Sequence, residues 1–443
     1  MASEAASRSA GAVFAPDLDT EPYWWRGAPP EDADREPLPE RVDVAVIGSG
    51  YCGLCAALEL ARAGARVAVL DQGALGSGAS TRNGGMVGGA VKLDWQGLAK
   101  RYGPSRAAEL VDGARASFEF LEDLIARERL AADYERCGRF QLACNPRQYA
   151  ALARQVAALG GRVQGVRLVP RARQREEIGS GRYHGGVVIE AAGGLDPARF
   201  HAGLRAAARA AGALLHGHAG VRRLSRGAAG FDLATARGAL RAGEVVVATN
   251  GYTGPLTPDL QRRVVPVSSY IVATEELPLE LTDRLSPRGR MFVDGNRLLA
   301  YFRLSPDRRR VLFGGRVRLR DIDERRSAQG LYRRMVAVWP ELAGCRIDHS
   351  WKGAVAFTFD RLPHMGILAG AHFAMGCNGS GVAMASYLGH QLALKLLGRT
   401  NRPCPFDGLD FPTRPLYYGR PWFLPAVGAW YRWRDALDGW RAG

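Results

Sequence analysis

Lysine is scarce in this sequence: of 60 basic residues in 443, only Lys92, Lys100, Lys352 and Lys395 are lysines. The arginines are spread along the chain rather than gathered with aromatic side chains into one patch, which argues against nucleic-acid binding. The formal net charge of +16 therefore indicates a solvated basic surface that attracts anions.

Long apolar runs are absent as well. No stretch of about eighteen apolar residues occurs, so the sequence predicts no transmembrane helix. The start of the chain lacks a basic segment followed by an apolar core, so no secretory signal is predicted. We expect residues 1–40 to form a loosely ordered lead whose Tyr23, Trp24 and Trp25 dock on the body of the protein.

Cysteine and histidine are few and scattered. Seven cysteines, an odd number, are typical of free thiols in a reducing cytoplasm, which is the predicted location. The eight histidines show no ligand spacing with other histidines or cysteines, so no metal site is predicted. Cys52 and Cys55 form a C-x-x-C pair, but they fall where a helix begins against a sheet, which favours packing over redox chemistry.

A dinucleotide-binding pattern is present in "VDVAVIGSGYCGLCAALELARAGARVAVLD" (42–71). A short β-branched strand leads to Gly48, Gly50 and Gly53, then to an apolar helix, and a second strand ends at Asp71. These glycines allow a tight turn, the approach of a pyrophosphate, and close packing of helix on strand, while the acid accepts from a ribose hydroxyl. Because every part stands at the required spacing, a bound dinucleotide is predicted.

The segment "GSGASTRNGG" (76–85) favours FAD over NAD as that dinucleotide. It continues to supply backbone N–H groups and small residues after the acidic residue, as a longer ligand with two ends requires. We expect its glycines to lie against the flavin, with Arg82 and Asn83 making polar contacts beside the ring.

Several separated motifs resemble the FAD-dependent glycine/D-amino-acid oxidase superfamily, and most nearly its γ-glutamylputrescine oxidoreductase-like branch. They include "PYWW", "GASTRNGGMV", "CGRFQLA", "VVVATNGYTG", "WKGAVAFTFDRLPHMG" and "GCNGSGVAMASYLGHQLA", in order across about residues 20–425. The resemblance implies that the last motif contacts the pyrimidine end of the flavin. Its Gly-rich turn would also place N–H groups and a helix dipole where a reduced flavin carries charge. Ser380 stands there where many relatives have histidine.

Together these observations predict an FAD site. Its residues are Gly48, Gly50, Tyr51, Cys52, Gly53, Asp71, Gln72, Gly78, Ala79, Ser80, Arg82, Asn83, Gly84, Gly85, Val221, Thr249, Asn250, Gly251, Gly379, Ser380, Gly381 and Val382.

The sequence also departs from the resemblance. Gly353 and Arg82 stand where relatives have the cysteine or histidine that tethers the flavin, so non-covalent FAD is predicted. Ala354 and Ala383 replace the arginine and lysine that relatives use to hold a substrate carboxylate. Arg303 or Arg316 could substitute for them. With Tyr252 and Tyr301, these two arginines are the predicted residues of the substrate pocket.

The predicted fold class is α/β, a Rossmann-like FAD-binding domain with an inserted antiparallel-sheet substrate domain. Residues 41–92, 193–258 and 345–402 are assigned to the FAD-binding domain. Residues 93–192 and 259–344 are assigned to the substrate domain, and 403–443 to an aromatic and arginine-rich C-terminal extension. The flavin ring is expected at the junction of the two domains.

The predicted reaction is oxidation of a C–N bond of an amine or amino acid, by hydride transfer to flavin N5 and hydrolysis of the resulting imine. The small-molecule substrate is not specified further, and the electron acceptor is molecular oxygen or a quinone or carrier. One alternative is a membrane-associated flavin dehydrogenase that uses the tail "PLYYGRPWFLPAVGAWYRWRDALDGW" for peripheral membrane contact. A non-catalytic FAD-binding assembly protein is the other.

Overall fold

The computed structural model describes residues 14–160, 164–316, 319, 321–400 and 402–440. It contains two large sheets, each with its own apolar core. The strands in chain order are β1 (Phe14–Asp19), β2 (Arg41–Ile47), β3 (Val67–Leu70), β4 (Met86–Gly88), β5 (Arg139–Leu142), β6 (Val166–Val169), β7 (Gly186–Ile189), β8 (Ala192–Gly194), β9 (Leu214–His216), β10 (Val221–Gly227), β11 (Gly230–Thr235), β12 (Gly238–Val247), β13 (Val264–Thr274), β14 (Met291–Asp294), β15 (Ala300–Leu304), β16 (Val311–Gly315), β17 (Ile347–Thr358), β18 (His364–Leu368) and β19 (Ala371–Met375).

The α-helices of the described residues lie on and between these sheets. In chain order they are α1 (Tyr51–Arg62), α2 (Ala79–Arg82), α3 (Trp95–Tyr102), α4 (Pro104–Arg127), α5 (Pro146–Leu159), α6 (Pro197–Ala210), α7 (Pro258–Gln261), α8 (Leu279–Leu285), α9 (Glu324–Val338), α10 (Gly381–Leu396) and α11 (Leu424–Trp440). In the described part of the chain, no helix combines the length and the apolar character that a bilayer span requires.

The first sheet is the Rossmann-like one that the sequence predicts. Its path runs β10-β11-β12-β2-β3-β9, with β19 parallel to β12 and β18 beside β19. Strands β2, β3, β9, β12 and β19 run parallel to one another. They are apolar because both faces are buried: one packs on α1 and α10, and the other packs in a second apolar cluster with Phe231, Leu233 and Leu240. Asp196 caps α6, since its Oδ1 accepts from the backbone N–H groups of Ala198 and Arg199.

The second sheet has nine strands in the order β1-β17-β13-β16-β15-β14-β5-β7-β6. The sheet is mainly antiparallel, as the sequence predicts, with two parallel pairs, β1 with β17 and β5 with β14. One face packs on α9 around Phe292, Phe302, Phe313 and Trp339. The opposite face, called the open face below, carries the alternate side chains. It is turned towards the loops of the first sheet.

Two of the predicted segment assignments differ from the packing in the structure. Strand β17, assigned to the FAD-binding domain, is hydrogen-bonded along its length to β13 in the nine-stranded sheet. Helix α4, assigned to the substrate domain, packs instead into the core that surrounds α1 and α10. The physical reason is the same in both cases: these segments bury their apolar side against a partner that is distant in sequence.

The N-terminal lead is more ordered than expected. The described part of residues 1–40 includes β1 and a short 3-10 helix (Tyr23–Arg26), in which Trp24 is 1% exposed. The Trp24 indole donates to the Asn83 carbonyl at 2.9 Å, and the Trp25 indole donates to Thr81 Oγ1 at 2.8 Å. The lead therefore docks on residues 76–85, called the Gly-rich loop from here on, as its aromatic residues suggest. It is ordered there, rather than loosely ordered as expected.

Candidate active site

The topology of the first sheet gathers the predicted cofactor-binding segments at one edge. Parallel strands end at the same edge, and ligands bind in the crevice outside their carboxyl ends. The turns that follow β2, β3, β9, β12 and β19 begin at residues 48, 71, 217, 248 and 376. These five turns, distant in sequence, thus line one crevice. Val221, also predicted to contact FAD, is the first residue of β10.

The fingerprint glycines have the geometry that a dinucleotide requires. Gly48 has a φ of +106°, a region that favours glycine. A Cβ added to Gly53 would lie 2.0 Å from the Gly48 carbonyl oxygen, so only glycine allows this approach of α1 to β2. A Cβ on Gly50 would meet only Ser80 Oγ, at 3.0 Å. The space before the α1 N-terminus is open and fits a pyrophosphate.

Asp71 organises the fingerprint turn. Its carboxylate accepts from the backbone N–H of Ser49 at 2.8 Å, the Ser49 hydroxyl at 2.6 Å and the backbone N–H of Gly73 at 3.1 Å. Gln72 follows it, and an added Cβ on Gly220 would lie 3.0 Å from Gln72 Cβ, which brings Gln72 beside the segment that leads to Val221. Because a carboxylate has about four lone-pair sites, Asp71 retains capacity for a ribose hydroxyl.

Tyr51 and Asn83 shape the Gly-rich loop from the inside. The Tyr51 hydroxyl lies within hydrogen-bond reach of the carbonyls of Ser80 and Pro197, and burial raises its pKa. Asn83 donates to the Ser80 carbonyl at 2.8 Å and accepts from the backbone N–H of Gly85 at 2.8 Å. These side chains hold residues 78–85 against α1, and the polar flavin contact of Asn83 stays a prediction.

Cys52 contributes its backbone, not its thiol, to this region. Its side chain is buried, and burial raises the pKa of the thiol well above its usual value. An added Cβ on Gly389 of α10 would lie 2.1 Å from the Cys52 carbonyl, so α1 and α10 cross at this point. Burial likewise raises the pKa of Cys55, to about 12. Both cysteines are free and pack in the core.

Arg82 and Gly353 meet at the junction of the two sheets. An added Cβ on Gly353 would lie 3.1 Å from Arg82 Cβ. The Arg82 Nε donates to the Ser77 carbonyl at 2.8 Å, and its guanidinium lies 4.5 Å from the Trp25 ring centroid. The two positions that resemble flavin tethers therefore share one location, and neither has a nucleophilic side chain.

The late Gly-rich turn closes the crevice. The backbone N–H of Gly376 donates to Asn250 Oδ1 at 2.9 Å, which links this turn to the one after β12. Asn250 and Gly379 have φ values of +42° and +88°. Ser380 donates to the Ala90 carbonyl at 3.2 Å. Next to these residues lie Thr249, Gly251 and the start of α10, which includes Gly381 and the buried Val382.

Tyr301 and Tyr252 lie on either side of the Gly-rich loop. Tyr301 is on the open face of the nine-stranded sheet, where its hydroxyl is 2.9 Å from Ser269 Oγ, and an added Cβ on Gly84 would lie 3.1 Å from its ring. An added Cβ on Gly78 would lie 3.6 Å from the ring of Tyr252. Burial raises the pKa of both phenols, which keeps them neutral hydrogen-bonding groups.

The two predicted arginines have different roles. Arg303 is 5% exposed and donates to the carbonyls of Gly85, Leu195 and Leu304 at 2.9–3.0 Å, so its guanidinium fixes backbone and is not presented to a substrate. Arg316 stacks 4.5 Å from the Phe357 ring centroid, and Tyr301 is close enough to affect its pKa, which burial lowers.

Two cations of this region are missing from the sequence prediction. Lys92 Nζ lies 3.9 Å from an added Cβ on Gly379, and an added Cβ on Gly88 would lie 3.6 Å from Arg139 Nη1. Arg139 is one of many arginines, so nothing in the sequence distinguishes it. Lys92 could have been singled out from the sequence, because lysine is rare in this chain.

Comparison with known proteins identifies the family. A model described as DAO, FAD dependent oxidoreductase, matches residues 43–394. The chain belongs to the DAO family. The crevice just described, with its open α1 N-terminus, fits the FAD on which this family depends, and the prediction of an FAD-dependent oxidoreductase of the amine- and amino-acid-oxidising type is confirmed at the level of the family.

Relatives of this DAO protein match nearly its whole length. A probable oxidoreductase OrdL of Haemophilus influenzae is 31% identical over 389 residues, which are 86% of this chain and 88% of that one. The γ-glutamylputrescine oxidoreductase of Escherichia coli is 32% identical over 403 residues, or 89% and 93% of the two chains. The crystal structure of glycine oxidase from Geobacillus kaustophilus has a TM-score of 0.73 at 23% identity and covers 85% of this chain and 99% of that one. This likeness confirms the fold.

Proposed function

We propose that this flavoenzyme oxidises the C–N bond of a secondary or ω-amine to an imine. Water hydrolyses the imine to a carbonyl compound and an amine or, where the substrate is a primary ω-amine, to a carbonyl compound and ammonia. The observation that carries the proposal is the junction between the Gly-rich loop and the open face of the nine-stranded sheet, where the Tyr301 ring lies beside Gly84 and Tyr301 also lies near Arg316. The Escherichia coli relative, named for a γ-glutamylated diamine, supports an amine substrate.

FAD, when bound, supplies the acceptor for the hydride that leaves the carbon next to nitrogen. The turns after β2 and β3 would hold its pyrophosphate and ribose, and residues 78–85 with the turn at 376–382 would hold its ring. We propose that the FAD is bound without a covalent tether, because Arg82 and Gly353 occupy the tether positions.

The protein's part in the reaction is binding and orientation. A substrate amine that arrives uncharged has a free lone pair, so no general base is required for hydride departure. Tyr301 and Tyr252 stay neutral and shape the pocket beside the loop. Arg303 does not act on the substrate, because its donors are directed at backbone carbonyls.

The proposed preference is against simple D-α-amino acids. Ala354 lies against Gly251, whose added Cβ would be 3.3 Å from Ala354 Cβ, and Ala383 is 1% exposed in the core. Neither position provides a charge for a carboxylate next to the reacting carbon. Loss of a charge-assisted pair costs about 1.5–3 kcal/mol, which is roughly a tenfold to hundredfold loss in affinity.

The test compares anaerobic flavin reduction by D-alanine, sarcosine and a γ-glutamylated diamine. We expect the diamine derivative to reduce the flavin with the highest kcat/KM. Faster reduction by D-alanine would contradict the preference, and reduction by none of a broad amine series would contradict the function itself and favour a non-catalytic FAD protein.

A second candidate is a dehydrogenase that passes electrons to a quinone or carrier at a membrane surface. The C-terminal extension favours it, because Trp422, Trp430 and Trp433 are 67%, 53% and 54% exposed. Pro425 does not interrupt the extension, since it lies in the first turn of α11, where proline is tolerated. Stoichiometric hydrogen peroxide formed under air would support oxygen as the acceptor and contradict this candidate. The seven free cysteines support our proposal of a cytoplasmic location.

A further inference from the structure

Three cations converge on the open face of the nine-stranded sheet. In β5, Arg139 alternates with the core residue Phe140 and so projects to the open face. Gly314 of β16 pairs with Tyr301, whose side chain is on the open face. Arg316 comes two residues after Gly314, so its side chain projects to the same face. Lys92 reaches this face from the loop after β4, because an added Cβ on Gly379 would lie 3.9 Å from both Lys92 Nζ and Val355 Cγ1.

Contacts along β17 connect these cations. Val355 and Phe357, two residues apart, lie on the same face of this strand. Val355 is beside the Gly379 turn near Lys92, and the Phe357 ring is beneath the Arg316 guanidinium. Arg139 approaches from the other side, near Gly88 and thus near the start of the loop that carries Lys92. The three side chains therefore surround one space between the sheets.

Among the described residues, no acidic side chain forms an ion pair with Lys92, Arg139 or Arg316. Other cations in or beside the same sheet do have acidic partners: Arg290, Arg310 and Lys352. Arg139 Nε is buried without a hydrogen-bond partner. Lys92 is accessible to solvent yet surrounded by protein, and this desolvation, with the charges of Arg139 and Arg316, lowers its pKa to about 8. Like charges that face one space repel one another, and a bound anion would offset this repulsion.

We propose that Lys92, Arg139 and Arg316 form an anion-binding subsite for a substrate carboxylate remote from the oxidised C–N bond. The inference rests on the proposed function and deepens it. The subsite lies between the nine-stranded sheet and the Gly379 turn, which is proposed to hold the flavin ring, and away from the α1 N-terminus that fits the pyrophosphate. Because Ala354 and Ala383 provide no cation for a carboxylate next to the reacting carbon, the subsite favours amines with a carboxylate at their far end, such as γ-glutamylated diamines, over the free diamines.

The test measures binding without turnover. Glutarate, a dicarboxylate that has no amine to oxidise, is titrated into the FAD-loaded enzyme and followed by the flavin difference spectrum and by calorimetry. We expect Lys92→Gln and Arg316→Gln each to raise the glutarate Kd roughly tenfold to hundredfold. The exposed residues Lys100 and Arg147 provide matched controls, since Lys100→Gln and Arg147→Gln should leave Kd and activity unchanged.

A second measurement is the ratio of kcat/KM for a γ-glutamylated diamine to that for the free diamine. We expect this ratio to fall in Lys92→Gln. Because Lys92 lies in a loop, this variant keeps the test valid even if Arg139→Gln, a substitution within β5, does not fold. An unchanged glutarate Kd, or loss of bound FAD from the Lys92 and Arg316 variants, would overturn the proposal. If no amine reduces the flavin but the variants still lose glutarate binding, the subsite stands and the proposed oxidation fails.

Discussion

At the level of single residues, the glycines Gly50 and Gly53 of the dinucleotide-binding pattern have different roles. Gly53 allows the fold, because an added Cβ would collide with the Gly48 carbonyl at 2.0 Å. Gly50 leaves room for the ligand, since only the Ser80 hydroxyl lies within 4 Å of its added Cβ. The two positions therefore separate folding from cofactor binding.

Gly50→Val should fold but lose FAD, because its branched side chain would fill the pyrophosphate space. Gly53→Ala should lose roughly 1–3 kcal/mol or more of the free energy of unfolding, because the added methyl group overpacks the contact between α1 and β2. The variant should therefore melt at a lower temperature. Circular dichroism melting and the flavin absorbance of the purified proteins measure both effects. Normal flavin content in Gly50→Val would show that this space is not the pyrophosphate site.

Lys92 makes anion binding dependent on pH. Its pKa of about 8 means that the ammonium is charged below that pH and neutral above it, while Arg139 and Arg316 stay charged and Tyr301 stays neutral. Glutarate is fully ionised throughout this range. We therefore expect the glutarate Kd to rise as the pH increases through about 8, and to lose this rise in Lys92→Gln. A wild-type Kd that is constant between about pH 7 and 9 would contradict the assignment.

At the scale of elements, the Gly-rich loop depends on its neighbours for its shape. The Trp24 and Trp25 indoles donate to Asn83 and Thr81, and the Trp351 indole donates to the Arg82 carbonyl at 2.9 Å. The loop is therefore held from β17 and from the N-terminal lead at once. The motif alone does not reveal this, because both partners are remote in sequence.

Removal of the buried indole should loosen this loop. Trp24→Ala is expected to cost about 3–5 kcal/mol in the free energy of unfolding and to weaken FAD binding. Trp430→Ala, at a site 53% exposed, is the matched control and should change neither. Urea unfolding and FAD titration of the apoprotein give the two values, and equal effects of both substitutions would refute the role of Trp24.

At the scale of the whole molecule, local and non-local features differ in how well the sequence predicts them. The β2–α1–β3 unit is predictable because its strand, glycines, helix and acid are consecutive. The pairing of β1 with β17 joins residues more than three hundred positions apart, and the parallel pairing of β5 with β14 has no local pattern. The cationic subsite was missed for the same reason, since Lys92, Arg139 and Arg316 meet only in the folded chain.

The junction of the two sheets also determines how the cofactor is held. Because Arg82 and Gly353 meet where a tether would form, acid precipitation should release all of the FAD into the supernatant. The absorbance of the supernatant and of the redissolved pellet measures the distribution. Flavin that stays with the pellet would require another attachment residue.

We propose that this DAO-family protein uses FAD to oxidise the C–N bond of an amine that carries a remote carboxylate. A single anaerobic turnover with a γ-glutamylated diamine, in which flavin bleaching and the carbonyl product are measured together, tests this proposal. We expect one carbonyl to form for each flavin reduced, with slower bleaching by the free diamine and by D-alanine. Bleaching without a carbonyl product, or a flavin that stays oxidised with the γ-glutamylated diamine while D-alanine reduces it, would refute the proposed reaction.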